Sequence, residues 1–311
     1  MDGKNLKEML AFFLNDPVSS SFLDSKTSFD FIYEAAIEYN RLTQSINSTQ
    51  TITTTASTSA YKLNPDFLCV RLYNDRNELV VKFDDGLGNV SFVPFRPYEQ
   101  IYQALNTDPV AIPSNFGITD YETPATNLTG TCTTTSSGSN PPILTDSAAH
   151  FVTNGVAIGD FIHNTVDLSD GIVLEVTSNT VLKTAMFYGT NNYWTSTNTY
   201  VLVPQGRKSL IFDPPNLTAG YTATILYVQK PVPVYTDYSS YRFDTSAMFA
   251  IVKYAAWLYK YRDRDPNFGD AMYKFWLAQV TAATAMTNKA YDRTRFRVNF
   301  IRRSLYDRSF R

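Results

Sequence analysis

The sequence holds two cysteines and two histidines in 311 residues. Cys69 and Cys132 are too few for a disulfide framework, and a reducing compartment is the simpler expectation. His150 and His163 stand thirteen residues apart with no cysteine beside them and no third ligand in view, so no metal site is expected. Asp160, Asp167 and Asp170 do not match the spacing of a calcium loop and read as turn residues. The paired Asp84 and Asp85 read the same way, as turn formers that bond their own backbone. No phosphate loop, nucleophile elbow, H-E-x-x-H or dinucleotide fingerprint occurs. The expectation is a protein that is not an enzyme and has no cofactor. No run of 18 apolar residues occurs, so no membrane span is expected, and MDGKNLKEMLAFFLNDP does not read as a signal peptide.

Aromatic residues, by contrast, are plentiful. Tyr and Phe supply 21 each, in a chain that is 44% hydrophobic and 18% charged. That balance describes a folded chain, and tyrosine-rich surfaces suit contact with other proteins. The net charge is −2, but it is unevenly spread. Residues 292–311 carry seven arginines against Asp292 and Asp307, a side-chain charge of +5, which leaves −7 on the rest. Nothing in the body suggests a general nucleic-acid binder. In YDRTRFRVNFIRRSLYDRSFR a strand reading puts Arg293, Arg295 and Arg297 on one face and Thr294, Phe296 and Val298 on the other. A helix reading stacks Phe296 on Phe300.

The order of elements predicts an α+β fold: a helical bundle with a small β-sheet, interrupted by an inserted all-β module. Residues 4–14 and 28–46 read as helices, the second capped by Ser28 with Phe29, Ile32, Ala36, Tyr39 and Thr43 along one stripe. TITTTASTSAYKL reads as extended, because β-branched threonine suits a pleated surface. FLCVRLY and ELVVKF read as the two arms of a hairpin. YEQIYQAL makes a short helix or turn. Between 126 and 203 short β-prone runs alternate with Asn-Gly and Ser-Asp-Gly turns. KSLIFD and TATILYVQ then read as two strands around a Pro-rich turn, and two helices flank Pro266. The domains expected are a core from 1–125 and 204–290, an inserted β module at 126–203 and a tail at 291–311. Phe249, Tyr254, Trp257, Tyr261, Tyr273, Phe275 and Trp276 read as core aromatics of the last two helices.

YKLNPDFLCVRLY, SLIFDPPNLTAGYTATILYVQKPVPV and MFAIVKYAAWLYKYRDRDPNFGDAMYKFWLAQV, followed by the arginine tail, together resemble the head-to-tail connector proteins of tailed bacteriophages. The resemblance covers about residues 4–125 and 204–311, and it lies in the order of segments rather than in any one motif. It implies a virion protein, made in the host cytoplasm, that forms a ring, commonly of twelve copies, beneath the portal. The genome passes through its channel without sequence-specific binding. Its implied partners are the portal protein, tail or nozzle proteins and further copies of itself. The portal-binding residues expected on this basis are Arg293, Arg295, Phe296, Arg297, Phe300, Arg302, Arg303, Arg308 and Arg311. The same arginines would also suit DNA phosphates in the channel, or a solvated tail helix. Two other functions stay open: a tail-tube or nozzle subunit, and a carbohydrate- or receptor-binding protein that stacks sugars on Tyr193 and Trp194.

Overall fold

The computed structural model describes residues 1–15, 24–71, 78–103, 108–120, 127–204, 207–262 and 270–284. In chain order, α1 (Gly3–Leu14) and α2 (Ser25–Thr43) lead into β1 (Asn47–Thr53), β2 (Ala60–Lys62), β3 (Phe67–Val70), β4 (Val80–Asp84) and β5 (Val90–Pro94). A short α3 (Tyr98–Gln103) precedes β6 (Asn115–Asp120). Six strands follow: β7 (Leu128–Thr131), β8 (Ile143–Thr145), β9 (Phe161–Asn164), β10 (Ser169–Val176), β11 (Val181–Phe187) and β12 (Thr199–Val203). The chain continues with β13 (Lys208–Asp213), β14 (Thr222–Gln229), α4 (Thr245–Arg262) and α5 (residues 270–284). It divides into two compact units, one from residues 3–44 and from 243 onward, the other from 45–242.

The helical unit is built around α4. Its alanines and aliphatic residues, Ala247, Ala250, Ile251, Val252, Ala255 and Ala256, are all buried, and it packs against both α1 and α2. Asp244 caps it, its carboxylate accepting from Ala247 N at 2.7 Å and Ser246 Oγ at 2.8 Å. These hydrogen bonds hold the Asp244 carboxyl below its usual ionisation range. The start of α2 lies earlier than the sequence suggests. Asp24, not Ser28, is the cap: its carboxylate accepts from Thr27 N at 2.7 Å, and Ser28 sits inside the first turn. The helix ends where Gln44 turns left-handed and returns its N–H to Asn40 O. Tyr254 and Trp257 of α4 interleave with Tyr273 and Trp276 of α5, with ring centroids 4.4–5.4 Å apart. Trp276 is buried, whereas Phe249 and Phe275 reach the surface. The Tyr261 side chain lies outside the described residues.

The β unit contains three antiparallel sheets. One has the order β1-β14-β4-β5, with β3 also paired to β14, and a second is β2-β13-β6. These two share a core in which Ile225 and Tyr227 of β14 and Phe83 of β4 meet Leu210 and Phe212 of β13 and Phe116 of β6. The third sheet, β7-β12-β9-β10-β11-β8, closes over its own core of Leu144, Phe151, Ile162, Leu182, Trp194 and Leu202.

The overall class is therefore not a helical bundle with a small sheet. Among the described residues the chain is mostly β, with three sheets and five short helices. Residues 45–120 and 207–229 alone supply eight strands. The extended reading of TITTTASTSAYKL covers β2 and part of β1, but NSTQTIT and AYK carry little apolar alternation to place them in sheets, and NFGITD contains a glycine. The pairing also differs from the expected hairpins. FLCV of β3 pairs with β14 rather than with β4, while β4 turns directly into β5 through Asp84–Asn89. KSLIFD and TATILYVQ belong to different sheets. Adjacent β-prone runs reveal strands, not partners, and here the long-range partner wins because it completes the shared core.

Phe212 is fully buried and meets the rings of Tyr61 and Phe83 edge-on. Phe212→Ala is expected to cost about 3–5 kcal/mol in denaturant unfolding. Asp244→Ala should cost about 1 kcal/mol through the lost cap. Because the native carboxyl ionises below its unfolded value, the cap stabilises above the usual carboxylate range and its contribution is lost as pH falls. Melting curves of wild type and Asp244→Ala should therefore converge in acid.

Candidate functional site

The nine tail residues expected to bind the portal, Arg293 through Arg311, lie outside the described residues. An open cleft of about 420 Å³ lies on the six-stranded sheet, lined by Thr129, Thr131, Asp146, His150, Asn154 and Tyr200. Its floor depends on Gly130 of β7. A side chain there would run into the Asp146 carboxylate and the Tyr200 hydroxyl, so the strand passes over this pair only as glycine. Asp146 is buried and its acceptors are engaged: Oδ1 takes Ala148 N at 2.9 Å, and Oδ2 takes the Tyr200 hydroxyl at 2.8 Å and Thr131 N at 3.3 Å. Burial first, and then the Asp146 carboxylate, raise the Tyr200 ionisation well above the usual phenol range, so Tyr200 stays a donor. The floor is a closed hydrogen-bond circuit that holds three segments of the sheet together, not a set of groups poised for reaction.

The other sequence candidates separate in space. Trp194 is fully buried, its indole N–H donating to Thr184 Oγ1 at 2.9 Å, and it offers no face for sugar stacking. Tyr193 is half-buried. His163 Nδ1 pairs with Asp170 Oδ1 at 2.8 Å, whereas His150 stands on the rim of the cleft. Asp167 accepts from Asn191 N and Asn192 N, which hold its carboxyl below the usual range despite the opposing effect of burial. Among the described residues no three His, Cys, Asp or Glu side chains converge as a metal site. Cys69 and Cys132 are both free thiols. Asp84 and Asp85 cap the β4–β5 turn by accepting from Gly86, Leu87 and Asn89 N–H groups.

A charged junction had no counterpart in the sequence reading. Asp160, wholly buried between β8 and β9, takes Arg207 Nη2 on both oxygens at 2.7 and 2.8 Å, and its Oδ2 also accepts from Ala157 N. Arg207 immediately precedes β13, so this pair ties the six-stranded sheet to the shared core of the other two. Lys208 reaches Asp120 at 2.6 Å beside it. Lys230 is held below its usual range, first by burial and then by the positive charges of Arg207 and Lys208. Nothing local in VAIGDF marks Asp160 as buried, because its partner is 47 residues away.

Arg207→Ala leaves a buried carboxylate without its counter-ion and is expected to cost about 3–5 kcal/mol, whereas replacing both partners with apolar residues of similar volume should cost far less. Denaturant unfolding of the single and double variants measures the difference. Comparison with models of known protein families and with curated protein sequences found no match.

Proposed function

We propose that this chain is a structural virion protein, a head-to-tail adaptor that forms a ring beneath the portal and surrounds the DNA channel. The observation that carries the reading is the discontinuous helical unit. The described residues of 3–44 and of 243–284 fold together, with the whole β unit between them in sequence. That arrangement accords with the order of segments that resembles phage connectors, in which the arginine segment follows the last helix in sequence. The concave floor of the cleft and the buried charges are all consumed in holding the fold, which suits an assembly part. The carbohydrate-binding alternative loses its best stacking residue, since Trp194 is core. A tail-tube or nozzle subunit would differ only in its position in the virion.

In this reading residues 291–311 dock on the portal. Arginine suits the task because its planar fork pairs with carboxylates through two parallel bonds. Extended against a sheet edge, the segment would turn Arg293, Arg295 and Arg297 to acidic groups and Phe296 and Val298 to apolar pockets. Arg302, Arg303, Arg308 and Arg311 extend the basic stretch, with Phe300 as a further anchor.

Deleting residues 292–311 is expected to abolish co-sedimentation with portal rings while leaving the melting temperature of the chain unchanged. Full binding by the truncated chain would sink the docking role. Quantitative mass spectrometry of virions should give about twelve copies per particle, the stoichiometry of a closed ring.

A further inference from the structure

Among the described residues, two edges of the five-stranded sheet carry no partner strand. The order β1-β14-β4-β5 puts β1 and β5 at its ends. Gln229 N donates to Ile46 O, and Thr54 N to Tyr221 O, at the two limits of the β1–β14 ladder. The unbroken antiparallel register between them turns the even-numbered residues of β1 toward β14 and the odd-numbered ones away. The backbone N–H and C=O groups of Thr49, Thr51 and Thr53 therefore point out of the sheet, and no strand pairs with them among the described residues. On β5, Phe95 N donates to Leu79 O and Asp85 N to Asn89 O, so the same alternation points Val90 and Phe92 outward. Past Phe92 the edge closes, because Phe95 bridges to Phe116 of β6.

Open edges are ordinarily guarded by lysine, proline or a bulge. These edges are not. NSTQTIT has no charge, no proline and no register break. The free part of β5, Val90–Phe92, is equally uncharged, and Pro94 stands where the edge has already closed. Val90 and Phe92 are 44% and 55% exposed, next to Leu87 at 84% in the turn.

Direction, face and charge agree on one occupant. Three successive antiparallel pairings make β1 and β5 run in opposite senses. Copies related by rotation about a ring axis keep their orientation, so β5 of one copy meets β1 of the next antiparallel, and the sheet continues without a reversal. The outward backbone groups also belong to residues whose side chains share the face opposite the core: Thr49, Thr51 and Thr53 on β1, Val90 and Phe92 on β5. Joining the edges sets a phenyl ring and a valine beside β-branched threonines, which are favourable cross-strand pairs. Both strands are neutral, so each is the electrostatic match of the other, whereas a strongly basic or acidic strand would find no counter-charge on either. We propose that β5 of one copy adds to β1 of the next, a head-to-tail contact that repeats around the ring. This inference rests on the ring reading above and names the subunit contact within it.

The test uses the full chain. Thr51→Cys and Phe92→Cys are combined in one variant and treated with a short bis-maleimide, with wild type and each single variant in parallel to account for Cys69 and Cys132. The double variant is expected to give a ladder of covalent oligomers and the controls none. Thr51→Pro removes an N–H that β14 does not use, and Phe92→Lys places a charge on the edge without touching the backbone. Each should convert the assembled species to monomer in sedimentation velocity, with the melting curve of the monomer retained. If the ladder is missing, or if both variants still assemble as wild type does, the edge contact is wrong while the ring reading survives. A wild-type chain that stays monomeric also overturns the edge contact, and portal co-sedimentation then judges the adaptor reading separately.

Discussion

The β unit depends on strand β14, which is hydrogen-bonded along both edges: to β1 over seven residue pairs on one side, and to β4 and then β3 on the other. The alternation of TATILYVQ up to Tyr227 makes this possible. Ala223, Ile225 and Tyr227 point into the shared core, and the backbone between them is satisfied on both sides. The Tyr227 hydroxyl then donates to Asp66, which also receives Gln229, so the polar tip of a core residue is fixed to the loop that starts β3. With β14 in place, the end strands β1 and β5 follow as edges, and their opposite directions follow from the count of strands between them. The subunit contact inferred above is thus a consequence of one strand's pairing.

Legibility in the sequence tracked periodicity. α2 is readable because apolar residues recur at helical spacing, α4 because a long apolar run lies between a capping Asp244 and Pro266, and TATILYVQ because most of it alternates. The caps were less so: Ser28 is a good capping type, but Asp24 lies one turn earlier with a charge to offer the helix N-terminus. The β-rich class escapes the sequence for a related reason. Edge strands such as NSTQTIT carry only one apolar residue on the core face, Ile52, so their threonines mark them as extended but not as members of a core-forming sheet. Strand partners were invisible, because pairing between residues 67–70 and 227–229 leaves no local mark. Buried polar pairs, Asp160 with Arg207 and Asp146 with Tyr200, were invisible on the same ground.

The features that do not serve the fold itself are few. Open neutral edges, exposed Val90 and Phe92, and a terminal segment with seven arginines remain after the core, caps and buried charges are accounted for. The first two have the character of contact between identical subunits, uncharged and repeating. In the proposed ring the third would suit contact with a different, acidic partner, since like-charged tails repel one another. In the proposed adaptor, dividing the tasks this way would let one chain assemble with itself and still recognise another protein.

The most direct measurement of the central claim is the native mass of portal rings mixed with the full chain. The account predicts a discrete complex heavier than the portal by a whole number of 35.1 kDa chains, one ring's worth, with no intermediate occupancies. A portal whose mass is unchanged by excess chain would contradict it.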